Sequence, residues 1–223
     1  MGRVHEDYAK LEGYADAGVV RTYDERWKGS RGARRDARKA RAIDRAWQVL
    51  RQAWGESLSS VLDLPCGTGR FTSLLSQRVE HYVGADLSHP MLLAAREKVP
   101  GAFTIVADSG SLPLPDDAVD VVVCIRFLHL VRSRELRVRF VAELGRVARC
   151  GVIIDYRHGR TLRIMGRHLR HKVGLRDRAP SNPSPAAIAA EVREAGLEEL
   201  ARIHVHRAPL LSDKVLIVAR APR

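Results

Sequence analysis

Short apolar runs recur along this chain, and several end on a carboxylate or on turn residues. The first is Val61-Leu62-Asp63, and the second is His81-Tyr-Val-Gly-Ala-Asp86. A third, Ala102 to Val106, runs into Ala107-Asp108-Ser109, and a fourth, Ala118 to Cys124, follows the turn-rich Leu112-Pro-Leu-Pro-Asp-Asp117. Runs this short, rich in Val and Ile and bounded by Gly, Pro, Asp or Ser, predict buried strands. A helix is expected to begin near Arg70, and Ser88-His89-Pro90 introduces another. Strands hydrophobic on both faces, with acids or turn residues at their carboxyl ends, assemble as a parallel, doubly wound α/β sheet. Upstream, Ala33 to Leu50 has helical spacing, with Ile43, Trp47 and Leu50 as its buried face.

The loop after the first strand carries the most specific chemistry. Gly67 and Gly69 let a ligand approach the backbone without meeting a Cβ, and a helix opening near Arg70 offers N–H groups to an anion. Asp63, however, sits where it would repel a pyrophosphate. A dinucleotide fingerprint wants a third glycine where Thr72 stands, and the Gly-Lys-Ser/Thr of a P-loop is absent. The expected ligand therefore carries positive charge as well. Asp86 follows roughly 20 residues on, a spacing at which a carboxylate grips a ribose diol. Its other reading is a helix cap, a task Ser88 could equally take. Asp108 with the Ser109 N–H would read an adenine edge.

These motifs together resemble the class I S-adenosylmethionine (SAM) dependent methyltransferases over about residues 40 to 220. Pro65 stands where that family usually has its first glycine, which makes the loop stiffer. The resemblance implies a Rossmann-like, seven-stranded, mostly parallel sheet with a C-terminal antiparallel hairpin. Cys150 to Tyr156 would be strand five, followed by a helix from about Pro185 to Ala195. Ile203 to His206 and Lys214 to Ala219 would form the hairpin. The implied cofactor is SAM, held by Asp63, Leu64, Pro65, Cys66, Gly67, Gly69, Asp86, Leu87, Met91, Asp108, Ser109 and Arg126. Val123-Cys-Ile-Arg-Phe-Leu-His-Leu130 looks like the small-molecule branch, in which the residue at Arg126 reaches the methionine end and the one at His129 borders the acceptor pocket.

Methyl transfer from a sulfonium needs alignment more than machinery. A hydroxyl or protonated amine acceptor needs a base, and His129 is the candidate, because imidazole titrates near neutrality. Tyr156 is expected to line the pocket. A carboxylate acceptor needs no base. The Asn/Asp-Pro-Pro-aromatic run of exocyclic-amine enzymes is absent after strand four, and Pro65-Cys66 lies in the cofactor loop rather than where cytosine-C5 enzymes place a nucleophile.

At 223 residues with 45% hydrophobic content, the chain suits one domain. No run approaches about 18 apolar residues, so no transmembrane segment is expected. The first residues lack the apolar core of a signal peptide, and three cysteines without C-x-x-C spacing indicate neither disulfide framework nor zinc site. The expected location is cytoplasmic, with peripheral membrane contact as an addition. Residues 1–40 read as a basic, aromatic lid in which Tyr14, Tyr23 and Trp27 interleave with Arg21, Arg26 and Arg31. Tyr23 and Trp27 would touch the acceptor. The alternative is an anchored arm. Residues 41–223 read as the methyltransferase domain, with a basic helical insertion at 157–180.

The net charge of +12 sharpens this picture through its distribution. Arg21 to Gln52 holds eleven Arg/Lys against four acids, and Arg157 to Arg178 eight against one, so the rest of the chain is close to neutral. An anionic acceptor or surrounding is expected. In Thr161 to Gly174, Leu162, Met165, Leu169 and Val173 form an apolar stripe with Arg163, Arg167, Arg170 and Lys172 largely off it. Such a helix can lie on an anionic membrane, meet nucleic-acid phosphates, or pack its apolar face on the domain. The missing aromatics lower the RNA option. The expected function is a SAM-dependent methyltransferase of a small or amphiphilic, anionic acceptor, a lipid or lipid-linked molecule included. The alternatives are an RNA methyltransferase and an inert SAM-binding interaction module.

Overall fold

The computed structural model describes residue 20 and residues 23–27, 29–55, 57–175, 177, 182–206 and 208–221. A seven-stranded sheet of order β3-β2-β1-β4-β5-β7-β6 forms its centre. The strands are β1 (Ser60–Asp63), β2 (His81–Asp86), β3 (Phe103–Val106), β4 (Val119–Cys124), β5 (Ala148–Arg157), β6 (Glu198–His204) and β7 (Lys214–Arg220). The first five pair in parallel, and β7 runs antiparallel to both β5 and β6, which is the expected doubly wound sheet with its terminal hairpin. The helices are α1 (Ser30–Trp54), α2 (Thr72–Ser76), α3 (His89–Lys98), α4 (Arg134–Val147), α5 (Leu162–Lys172) and α6 (Pro185–Glu194). Strand and helix positions follow the apolar pattern closely except in the hairpin, where the strand expected at Ile203 to His206 is β6, Glu198–His204, whose mostly half-buried residues give a weaker apolar signal. The helix expected near Arg70 begins at Thr72 and lasts five residues.

Two apolar layers hold the sheet. On one side α4 and α6 bring Phe140, Val141, Leu144, Ile188 and Val192 against Val122, Cys124, Val152 and Ile154. On the other, α1 lays Ala42, Ile43, Ala46, Trp47 and Leu50 against Val121, Val123, Ile153 and Leu216. Those α1 positions recur at three and four residues, the spacing of one helix face. Gly55 ends α1 in a left-handed conformation at φ 73°, which a side chain rarely adopts. Helix α1 runs without a break through residues 40 and 41, so the segment read as a lid and the domain share one helix. Its Arg31, Arg34 and Arg41 are exposed as expected of a solvated face. Lys39 is not: it is buried and pairs with buried Asp155 on β5 at 2.7 Å.

Buried polar groups pin the sheet elsewhere. Asp120 on β4 accepts from the Ser59 and Ser60 N–H groups at 2.7 and 3.0 Å and from Arg149. Burial alone would raise its pKa, but these donors outweigh burial and hold it at about 2. Ser88 caps α3, accepting from Met91 N, and Ser184 caps α6 with Pro185 at its first turn. The Asn182-Pro-Ser-Pro185 stretch is therefore a connection leading into a helix start. Asp86 is not the α3 cap, which frees its carboxylate for other partners.

Candidate cofactor and acceptor site

A cavity of ≈ 200 Å³ opens at the carboxyl ends of β1, β2 and β4. Here the strand order reverses between β1 and β4, and loops diverge to leave a crevice. Twelve of the predicted residues meet around it: Tyr23, Asp63, Pro65, Cys66, Gly67, Asp86, Leu87, Met91, Asp108, Ser109, Arg126 and His129. Gly67 has φ 55° and open space where a Cβ would stand, so its backbone forms a bare stretch of cavity wall. Its N–H donates to Asp86 Oδ2 at 2.9 Å, and the Ser88 N–H donates to Oδ1 at 2.9 Å. Each carboxylate oxygen keeps a further lone pair for a ligand hydroxyl. Asp108 Oδ1 accepts from Gly110 N at 2.8 Å, which folds its loop around the cavity rim.

The cavity carries charges of both signs. Burial, with Asp86 close by, raises the Asp63 pKa to about 7 against the opposing hydrogen bond from the Tyr82 hydroxyl at 3.1 Å. Burial likewise raises Asp86, partly offset by its two backbone donors. A cation bound beside two carboxylates that resist ionisation would expel a proton and gain charge-assisted hydrogen bonds. Arg70 and Arg126 line the same cavity. Burial, reinforced by Arg126, lowers Arg70 only to about 10, so it stays charged at neutral pH. Arg126 has φ 65°, an uncommon conformation for a non-glycine residue, and it projects from the turn after β4. A ligand with an ammonium, a ribose and a carboxylate fits this set of charges. The Cys66 thiol is pushed up by burial and by Asp63 and Asp86, so it remains protonated and is no nucleophile.

Three of the sequence assignments fall elsewhere. Leu64 is fully buried in the core, donating its N–H to the Val123 carbonyl at 3.0 Å, and its side chain does not reach the cavity. Gly69 serves packing: a Cβ there would stand 3.0 Å from the Ala95 backbone of α3, at φ 74°. Tyr156 lies outside this cavity, and its hydroxyl donates to Glu191 Oε2 at 3.2 Å. The Trp27 side chain, Tyr14 and Arg21 lie outside the described residues. Conversely, Thr68, Phe71, Ile125, Phe127 and Leu130 line the cavity without having been assigned to it, as do Arg70 and Ser88, noted only as a helix start and a helix cap. Thr68 also anchors the N-terminal segment, since its hydroxyl donates to Asp24 Oδ1 at 2.8 Å, and Lys98 pairs with the same Asp24. This contact holds Tyr23 against the cavity.

A second cavity of ≈ 130 Å³ adjoins the first and shares His129 with it. Tyr156 lines this one, with Arg132, Arg137, Arg157 and Asn182. Arg137 is committed: it pairs with Glu191 at 2.5 and 3.0 Å and donates to the Val131 and Arg132 carbonyls. Among the described residues, the Arg132 and Arg157 guanidinium groups have no such partner. His129 sits between the two chambers on the 3-10 turn Leu128–Leu130.

Residues 62–154 match the family described as "Methyltransferase domain". A probable tRNA methyltransferase 9B of Homo sapiens is 32% identical over 105 residues, which are 46% of this chain and 22% of that protein. A phosphatidylethanolamine N-methyltransferase of Cereibacter sphaeroides is 38% identical over 105 residues, 43% of this chain and 50% of that one. The chain thus matches half or less of these relatives' length. Among solved structures, magnesium protoporphyrin IX methyltransferase of Synechocystis PCC 6803 with bound SAH superposes with a TM-score of 0.69 at 16% identity, covering 96% of this chain and 100% of that one. The domain match over residues 62–154, laid over the sheet order and the cavity, identifies that stretch as a methyltransferase domain and supports the class I SAM-dependent methyltransferase superfamily.

Proposed function

We propose that the protein transfers the methyl group of SAM to a small or amphiphilic, anionic acceptor seated in the chamber of Arg132 and Arg157. The observation that carries this reading is the pair of cavities meeting at His129, one lined by two carboxylates and the other by two guanidinium groups that have no carboxylate or carbonyl partner among the described residues. When bound, SAM supplies a methyl group on an already activated sulfonium. The residues then have three tasks. Asp86 holds the ribose and Asp63 the ammonium, with Arg70 and Arg126 at the carboxylate. Phe71, Ile125, Phe127 and Tyr23 exclude water. His129 takes a proton from a hydroxyl or ammonium acceptor, and Arg132 with Arg157 orient the acceptor's negative charge.

The charge of Asp63 makes cofactor binding depend on pH. Below about 7 the free site holds a proton on Asp63 that the ammonium must displace, whereas above it the carboxylate is ready. SAM affinity is therefore expected to fall by up to about tenfold from pH 7 to pH 6, with a proton released on binding. Calorimetry in buffers of different ionisation enthalpy measures both. A flat affinity with buffer-independent heats would remove Asp63 from the ammonium.

A second reading, an RNA acceptor, is favoured by the exposed arginines of α1 and by the tRNA methyltransferase among the relatives. Incubation of the protein and radiolabelled SAM with a cell lysate separates the two. Label is expected in the organic or small-solute fraction, label in RNA selects the second reading, and SAM binding without any label leaves an inert binding module.

A further inference from the structure

The apolar stripe of α5 does not pack on the domain. Leu162, Met165, Leu169 and Val173 are 57–63% exposed, and the residue that anchors the helix is Ile164, at 1%. Of the three placements open to this helix from its sequence, the packing of its apolar face on the domain is thereby excluded. At about 100° per residue the four stripe positions share an arc of roughly 80° on the side away from Ile164. Arg170 borders that arc on one flank, with Arg163 beyond it, and Lys172 borders it on the other, whereas the half-buried Arg167 lies on the side of Ile164. Thr161 caps the helix by accepting from Ile164 N, and the Arg163 guanidinium pairs with Asp213 at 3.2 Å, so its orientation is fixed at two points. The 3-10 turn Pro209–Leu211 lies beside α5 and adds Leu210 and Leu211, 60% and 64% exposed.

Large aliphatic side chains gathered in this way mark a contact surface rather than ordinary solvent exposure. The helix carries four Arg/Lys and no acid, so the partner must be apolar at its centre and anionic around it. A second copy of this chain would set like charges against each other, which is unfavourable. RNA would engage the guanidinium groups but leave the outward aliphatic stripe in water, and the helix offers no Phe, Tyr or Trp ring on which a base could stack. We propose that α5 and the Pro209–Leu211 turn insert their aliphatic side chains into the interface of an anionic lipid bilayer, with Arg170 and Lys172 at the level of the headgroups. The inference goes beyond the acceptor reading and needs no turnover. It also bears on that reading, because α5 leaves the carboxyl edge of β5 shortly after Arg157, a lining residue of the acceptor chamber.

The test is co-sedimentation of the full chain with vesicles of phosphatidylcholine alone or mixed with phosphatidylglycerol, at low and high salt. Binding is expected only with phosphatidylglycerol present, weakening as salt rises. Met165→Glu with Leu169→Glu, and separately Arg170→Glu with Lys172→Glu, are each expected to lower the partition coefficient at least about tenfold. These side chains are exposed, and SAM affinity by calorimetry should stay at the wild-type value, which separates lost membrane contact from lost folding and from failure of the methyl-transfer reading. Equal binding to neutral vesicles, or unchanged binding by either double variant, would overturn the proposal. So would a dimer in sedimentation velocity that the Met165→Glu/Leu169→Glu variant dissociates, or RNA binding that the Arg170→Glu/Lys172→Glu variant alone abolishes.

Discussion

Asp86→Ala is expected to weaken SAM binding by at least a hundredfold. The carboxylate has two jobs that fail together. It accepts the Gly67 and Ser88 N–H groups at 2.9 Å each, holding the glycine loop against the end of β2, and its remaining lone pairs are the proposed ribose acceptors. Removal orphans two backbone donors, and each such loss costs about 1–3 kcal/mol where the donor is buried. Two hydroxyl-to-carboxylate bonds to the ligand vanish as well, and charged hydrogen bonds are worth roughly 1.5–3 kcal/mol each. Losing the equivalent of about 3 kcal/mol in the bound state alone exceeds a hundredfold. Asp86→Asn separates the two jobs, because the amide keeps the shape and one acceptor oxygen but sets N–H against N–H at the other. An intermediate loss is expected. Calorimetric titration with SAM checks both variants, and wild-type affinity in Asp86→Ala would move the ribose elsewhere.

The sheet was legible because its strands are nearly unbroken runs: all six residues of β4 are buried, and such a segment has no polar face to confuse the period. The cofactor loop was legible for a related reason, since glycines and acids at strand ends have few other uses. What escaped the sequence are contacts made across long separations. Gly69 reads as a ligand glycine until Ala95 of α3 is seen against it. Tyr156 and Leu64 point where strand alternation and the turn after β1 send them, into the Glu191 network and the core. Thr68 and Phe71 line the cavity because the loop is tied down by Asp24, a partner 44 positions away. The helical period of α5 defined a stripe but carried no information on which face the domain would take. Ile164, off that stripe, decided it.

His129→Gln is expected to reduce kcat by about 10²–10⁴-fold for a hydroxyl or ammonium acceptor while leaving SAM affinity within about twofold. The argument rests on position. His129 is the residue common to the cofactor cavity and the acceptor chamber, on a turn fixed by the buried Phe127 and Leu128 on its N-terminal side. A base at that junction reaches an acceptor atom without touching the adenosine or methionine parts of the cofactor, so its loss should appear in the chemical step and not in cofactor binding. Glutamine preserves a hydrogen-bonding side chain but takes up no proton near neutrality. The acidic limb of the pH–rate profile should therefore disappear in the variant if the imidazole is the base. A rise in KM with kcat and the pH profile unchanged would make His129 an acceptor-binding residue instead. That outcome would point to a carboxylate acceptor, whose oxygen attacks with no proton to lose, and would leave Arg132 and Arg157 as the residues that place it.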